Sequence, residues 1–190
     1  MRIWSSNYIY DFPWSTVVEA QIKKYPNPVN NNIISVHLVQ RELKMKEDEA
    51  QEAKVNKHFV LHSKQLISRS LIISPWIKDL FGINQQHFSC IEESILDPKE
   101  KSFILQSKNI NFDHAIEVKE NLVLTPSNNN CNQTNVEQEI SIDIFQGKIP
   151  GIVEDMILTG YKASQSEGKK AINWVINNLN KQVSVVDNVH

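Results

Sequence analysis

The chain has 190 residues, 41% of them apolar and 22% charged, which suits one packed domain, or at most two very small ones, and excludes wholesale disorder. Lys and Arg number 20 against 22 Asp and Glu, a formal net charge of −2, so no basic excess neutralises a phosphate backbone and no nucleic-acid partner is expected. Five glycines leave little material for phosphate-cradling loops, and the two cysteines, Cys90 and Cys131, form no CxxC pair, which excludes a disulfide-stapled domain.

Residues up to Tyr10 alternate apolar with polar and predict a strand. Pro13 suits a first helical position, and Val17, Val18, Gln21 and Ile22 follow at helical spacing. That helix must end at Tyr25-Pro26-Asn27-Pro28, where two prolines remove donors and force extended backbone. Ile33 to Leu43 reads as a strand, and the charged stretch Lys44 to Lys57 as a solvated hairpin tip. Further strands are predicted over Phe59–Ile67, Phe88–Leu96, Ser102–Ile110, Ala115–Leu124 and Val136–Phe145, separated by turn signals such as Asp97-Pro98-Lys99. Strict alternation in Glu139-Ile140-Ser141-Ile142-Asp143-Ile144 marks a sheet with one face buried. From about Ile152 to Leu179 the period changes to that of a helix, with Val153, Ile157, Ala171, Val175 and Leu179 on one side.

The fold class is therefore α+β: a curved antiparallel sheet of about seven strands, a short early helix and one long C-terminal helix across it. Such a pair encloses a cavity where the facing residues stay small, and Gly160, Ala163, Ser164 and Gly168 are the candidates for that wall. Close helix-on-sheet packing explains the same residues equally well. Between the third and fourth strands, Ser74-Pro75 predicts the start of a short helix ending at Gly82, apolar through Trp76, Ile77, Leu80 and Phe81. The connection is too long and apolar for a polar turn. It reads either as a helix tucked onto the core or as a lid whose apolar residues dip into a bilayer.

Catalytic signatures are missing. None of the six histidines stands in HExxH or a zinc ligand spacing, and GxSxG, GxGxxG and GxxxxGK[ST] do not occur. Glu92 and Glu93 are neighbours on a predicted strand and must face opposite ways. An enzyme is not expected, and neither a metal nor a cofactor.

Several segments resemble one family in their order and spacing. Lys24-Tyr25-Pro26-Asn27-Pro28 resembles the [KR]-Y-P-N-P signature of the PRELI-like family. Ile3-Trp4-Ser5-Ser6 and Phe12-Pro13-Trp14 are similar to its slowmo-type branch. Leu96-Asp97-Pro98, Ser107-Lys108-Asn109-Ile110, Leu124-Thr125-Pro126 and Ala171-Ile172-Asn173-Trp174-Val175-Ile176 keep the same spacing. The resemblance spans residues 1–178, which implies one lipid-transfer domain there and a C-terminal tail at 179–190. It implies a helix-grip fold like START and phosphatidylinositol-transfer domains, and phospholipid shuttling between the outer and inner mitochondrial membranes across the intermembrane space. It also implies a small twin-CX9C helical-hairpin partner and peripheral contact with anionic mitochondrial membranes. The start of the sequence, which is not an Arg-rich presequence, agrees with that compartment.

The family's basic positions fall on Lys24 and on Arg69, the latter at the base of the lid; both are candidate headgroup ligands, with Ser164 as a hydroxyl donor. Leu71, Ile72, Ile73, Trp76 and Phe81 are the expected membrane-contacting lid residues. The long helix departs from the phosphatidic-acid pattern: two lysines and an asparagine of the family match Gly160, Ser164 and Glu167 here. That loss of charge favours phosphatidylserine over phosphatidic acid, with Glu167 available to its ammonium. Lys162, Lys169 and Lys170 are expected on other helix faces, toward solvent or membrane. The alternative is a non-catalytic small-ligand-binding or regulatory helix-grip protein.

Overall fold

The computed structural model describes residues 1–47, 57–70, 79, 87–145 and 150–187. Seven strands, β1 (Arg2–Tyr10), β2 (Ile33–Glu47), β3 (Lys57–Ser70), β4 (His87–Asp97), β5 (Ser102–Asn109), β6 (Ile116–Pro126) and β7 (Thr134–Ile144), form one antiparallel sheet. Its order is β1-β7-β6-β5-β4-β3-β2, so β2 to β7 form a meander and the first strand closes it against the last. Helix α1 (Trp14–Ile22) follows β1, and α2 (Pro150–Asp187) crosses the sheet. The curved sheet with its long helix is the architecture expected from the sequence.

Alternation decides which side faces in. On β7, Val136, Gln138, Ile140 and Ile142 are buried, while Glu137 and Glu139 are exposed. Opposite them on β1 stand Tyr8, Ser6 and Trp4, which share the inner side. β2 and β3 run farther than expected: the charges of Lys44 to Glu47 belong to a strand, not to a hairpin tip. They stay on it because cross-strand partners meet them, Lys57 with Glu47 at 2.6 Å and Lys46 with Asp97 at 2.9 Å.

Two apolar clusters hold α2 to the sheet. Near its C-terminal half, Ile172, Val175 and Ile176 pack with Val17, Val18 and Ala20 of α1 and with Phe103, Leu105, Leu124 and Val136. Near its start, Leu158 packs with Ala115, Val118, Ile140 and Ile142, joined by Ile157 and Tyr161. Full burial of each such aliphatic side chain contributes roughly 1.5–3 kcal/mol. The helix continues to Asp187, 38 residues and about 57 Å. No described helix is long and apolar enough to cross a membrane.

Several segments that carried the family resemblance organise turns. The Asn27 side chain donates to the Lys24 carbonyl at 2.6 Å and accepts the N–H groups of Val29 and Asn30 at 2.9 Å, which fixes the loop after α1. Buried Asn109 donates to the carbonyls of Asn111 and Ile116 and accepts from the Val118 N–H, closing the β5–β6 connection. Trp14 donates to the Leu124 carbonyl at 3.1 Å, so two separate segments of the resemblance meet.

Candidate functional site

Between its two apolar anchors, α2 presents a different surface. Tyr161, Ser164, Gln165, Glu167 and Gly168 cover a cavity of about 90 Å³ whose floor is the inner side of the sheet. The strand register brings polar residues into one row there. Gln65 pairs with Glu92, Glu92 with Ser107, and Ser107 with Glu120, all on the inward phase of β3, β4, β5 and β6. Tyr8, Tyr10, Leu105, Leu122, Leu124 and Ile172 supply the apolar walls.

Lys24 enters from the loop that Asn27 fixes, with its ammonium 5.3 Å from the Tyr25 ring centre. Arg69 reaches the cavity from the end of β3, where its Nε is buried with no hydrogen-bond partner among the described residues. The guanidinium stays charged at any physiological pH. Cys90 beside it is a free, buried thiol pushed up to about 11 by burial, against the opposing pull of Arg69.

The carboxylates are held by amides. Gln65 donates to Glu92, Gln138 donates to Glu120 at 2.6 Å, and Gln165 of α2 donates to Gln138 at 2.7 Å. Gln165 thereby straps the middle of the helix to the floor, assisted by Ser6 at 3.2 Å. Burial raises the Glu92 carboxyl above its ordinary range, and Lys24, the Gln65 amide and Arg69 oppose that rise. The Tyr8 hydroxyl is pushed up to about 12 by burial, and Tyr10 and Tyr161 are raised for the same reason, so all three remain neutral.

The structure thus brings Lys24, Arg69, Ser164 and Gly168 to one cavity. Gly160 and Ala163 are exposed and are not among the described lining residues, and a Cβ built on Gly160 meets no atom of the described residues within 4 Å. The reason is helical phase: the inward stripe runs through Tyr161, Gln165 and Gly168, one position away from Gly160 and two from Ala163. Glu167 lines the cavity although its residue is largely exposed. Lys169 does not project away from the sheet; its ammonium lies 3.6 Å from the Tyr8 ring centre, and that of Lys162 lies 5.7 Å from the Trp4 ring centre. The lid residues Leu71, Ile72, Ile73, Trp76 and Phe81 lie outside the described residues. Their strand anchors, Ser70 and His87, pair directly, one position beyond Arg69.

Sequence reading missed Glu92, Glu120, Gln138 and Gln165. Each carries the same signal, a polar residue in the apolar phase of its element: Glu120 follows the phase of Val118, Leu122 and Leu124, and Gln165 that of Leu158 and Ile172. A larger hollow, about 640 Å³, lies against mainly outward-facing residues. Its lysines Lys108 and Lys119 are already paired with Glu117.

The fold matches TTHA0849 of Thermus thermophilus at a TM-score of 0.57 and 10% identity, over 94% of this chain and 99% of that one. A START superfamily protein from Mycobacterium smegmatis matches at 0.54 and 13% identity, over 93% and 98%. In sequence, "Protein UPS2, mitochondrial" of Saccharomyces cerevisiae is 27% identical over 180 residues, 93% of this chain and 73% of the yeast protein. "PRELI domain-containing protein 1, mitochondrial" of Gallus gallus is 24% identical over 165 residues, 86% of this chain and 71% of the bird protein. The family model described as PRELI-like family matches residues 15–182, nearly the whole sheet and helix, and this chain belongs to that family.

Proposed function

We propose that this chain is a non-enzymatic carrier that lifts single phospholipids from one mitochondrial membrane and delivers them to another across the intermembrane space. The observation that carries the reading is the meeting of Lys24 and Arg69 in a cavity beneath α2, with a buried guanidinium Nε that has no partner among the described residues. A phosphate inside a low-dielectric cavity requires fixed positive charge and donors, which these two side chains and the Ser164 hydroxyl provide. Family membership and the mitochondrial names of the yeast and chicken relatives support the compartment and the cargo class.

The carrier cycle needs no covalent chemistry and no cofactor. Leu71, Ile72, Ile73, Trp76 and Phe81 dock on an anionic membrane surface, the lid opens, and the headgroup reaches Lys24 and Arg69. Acyl chains leave the bilayer for apolar surface of the protein, each CH₂ gaining about 0.8 kcal/mol relative to water. Leu38, Leu43, Met45 and Phe59, exposed on β2 and β3, offer such surface. A twin-CX9C helical hairpin stabilises the protein between membranes. Phosphatidylserine is the favoured cargo over phosphatidic acid, because the described lining residues of α2 include no lysine, its polar contribution being Tyr161, Ser164, Gln165 and Glu167, while the Lys169 ammonium is engaged by the Tyr8 ring.

A cavity of about 90 Å³ holds only about three waters, which favours a second reading, binding of a small phosphorylated ligand by a non-catalytic helix-grip protein. Transfer between liposomes separates the two. The protein, co-purified with its hairpin partner, is mixed with donor vesicles carrying phosphatidylserine or phosphatidic acid and with empty acceptors. The carrier reading expects lipid in the acceptors, faster for phosphatidylserine, and at least a tenfold loss in Lys24→Ala. Movement of neither lipid overturns it in favour of the small-ligand reading.

A further inference from the structure

We propose that apolar side chains at one end of the sheet and on the first turns of α2, chiefly Ile110, Phe145, Ile152 and Met156, form a surface that seats on a phospholipid bilayer. The inference goes beyond the carrier reading and takes from it only the choice of a membrane as occupant. Strand register defines that end. Arg2 pairs with Ile142, Ile116 with Ile144, Cys90 with Asn109 and Ser70 with His87, so the starts of β1, β4 and β6 lie together with the finishes of β3, β5 and β7. Ile110 follows β5 there and Phe145 follows β7, with the Phe145 N–H donating to the Ala115 carbonyl at 2.9 Å just before β6. Arg2 bonds Asp155, which fixes the start of α2 at the same end.

Ile110 is 46% exposed, Phe145 59%, Ile152 55% and Met156 38%. One exposed apolar residue is ordinary, whereas four of them from three elements at one end are not. The helix sharpens the case. Val153, Leu158 and Tyr161 face the sheet, and the opposite side of a solvated helix is normally charged. From 151 to 166 the exposed side of α2 carries only two charges, Asp155 and Lys162. Both are engaged by β1: Asp155 by Arg2, and Lys162 with its ammonium 5.7 Å from the Trp4 ring centre. Ile152, Met156 and Ala163 thus share an outer face on which no free charge stands between them.

A bilayer suits these side chains better than a protein does. Four half-exposed residues offer well under the roughly 800 Å² per partner that a standard protein interface buries. They also come from a helix and two strand ends, and a bilayer takes apolar groups from separate elements without needing a complementary shape. Ser70 and His87, the strand residues that flank the expected lid, close the same end, so a membrane touched by Phe145 and Ile152 also faces the route by which a lipid would enter. Contact through so few side chains is reversible, which a carrier moving between two membranes requires.

The full chain supplies its own control. Cys131 is exposed in the turn between β6 and β7, at the other end of the sheet, and Cys90 is buried. An environment-sensitive fluorophore is attached to Cys131 in one preparation and, in a Cys131→Ser background, to Met156→Cys in another. Vesicles of phosphatidylcholine with a minor fraction of phosphatidylserine are then added. Emission from position 156 should move to shorter wavelength, and emission from position 131 should not. The double variant Ile152→Gln and Met156→Gln should co-sediment with the vesicles at least fivefold less than the unaltered chain. That loss should persist in high salt, because screening weakens charge attraction and leaves apolar insertion. Phe145→Gln serves should the double variant fail to fold by circular dichroism. No shift at 156, equal shifts at both positions, or a loss confined to low salt overturns the surface. A double variant that loses self-association or a co-purifying protein, with vesicle binding unchanged, overturns it in favour of a protein interface. Lipid transfer is measured in parallel: vesicle binding through this face without transfer sustains the surface and removes the carrier, while transfer without a shift at 156 overturns the surface and leaves the carrier.

Discussion

Gly160 sits inside a long helix, yet nothing among the described residues asks for a glycine there. It is exposed, and a Cβ added to it meets no atom of the described residues within 4 Å. Gly160→Ala therefore changes backbone freedom and little else, and the helix-interior preference of Ala over Gly is about 0.8–1.0 kcal/mol. No burial term enters, so the variant should be more stable by about 1 kcal/mol, a rise of roughly 2–4 °C in midpoint for a chain of this size. Gly168→Ala is the instructive partner. Its propensity gain is the same, and its Cβ would stand 3.9 Å from the Lys24 ammonium, an ordinary contact with a flexible tip. Both variants should stabilise by similar amounts, but only Gly168→Ala places a methyl against a cavity cation and should slow lipid extraction. Urea unfolding followed by circular dichroism measures the first quantity, with an unchanged slope expected. A destabilised Gly160→Ala would refute the reasoning, since it would mean that the position is packed or non-helical.

Two further outcomes follow from buried carboxylates. Glu92 has a folded pKa above its ordinary value near 4.5, so the folded state holds a proton that the unfolded state releases, and stability falls as pH rises through that window. Glu92→Gln should be more stable than wild type at pH 7, with the advantage vanishing below about pH 4.5; a variant less stable at every pH would mean that Lys24 and Arg69 more than offset the burial. Asp97 is the opposite case. Burial alone would raise it, but the Glu100 N–H, Lys46 and His58 outweigh that and hold it well below the usual carboxylate range. Its contribution is complete above the unfolded value near 3.8 and is lost as pH falls through the folded one. Asp97→Asn should cost about 2 kcal/mol at pH 7, since bonds to a charged group contribute about 1.5–3 kcal/mol. The gap to wild type should close in acid, and a gap independent of pH below about 4 would assign the loss to packing.

The sheet and helix were legible because their signals are local. Alternation in Glu139–Ile144 and the 3.6-residue spacing of Ala171, Val175 and Leu179 state a burial pattern without reference to any other element. The end of β2 was not legible, because the charges of Lys44 to Glu47 look like a solvated tip until Lys57 and Asp97 are known to face them. The cavity was half legible. Lys24 and Arg69 came from the family resemblance, whereas Glu92, Glu120, Gln138 and Gln165 needed the phase of several separate elements to be superposed. Which inward polar residues meet is set by register between strands far apart in sequence, and β1 and β7 are separated by most of the chain.

That distribution of polarity bears on how the protein can open. The apolar contacts of α2 sit at its two ends, with Leu158 in one cluster and Ile172, Val175 and Ile176 in the other. Its middle is held by amide hydrogen bonds through Gln165, each worth about 1 kcal/mol net, and by the ammonium groups of Lys162 and Lys169 over the Trp4 and Tyr8 rings. Separating the middle from the floor therefore costs a few polar and cation–ring contacts, of which an entering headgroup can replace the hydrogen bonds, while separating either end costs buried aliphatic surface that it cannot replace. Gln165→Leu should shift that balance, removing the strap and adding apolar contact over the cavity. The expected result is a chain at least as stable in urea whose lipid transfer slows at least tenfold. Unchanged transfer in that variant would show that cargo enters elsewhere than beneath the middle of α2.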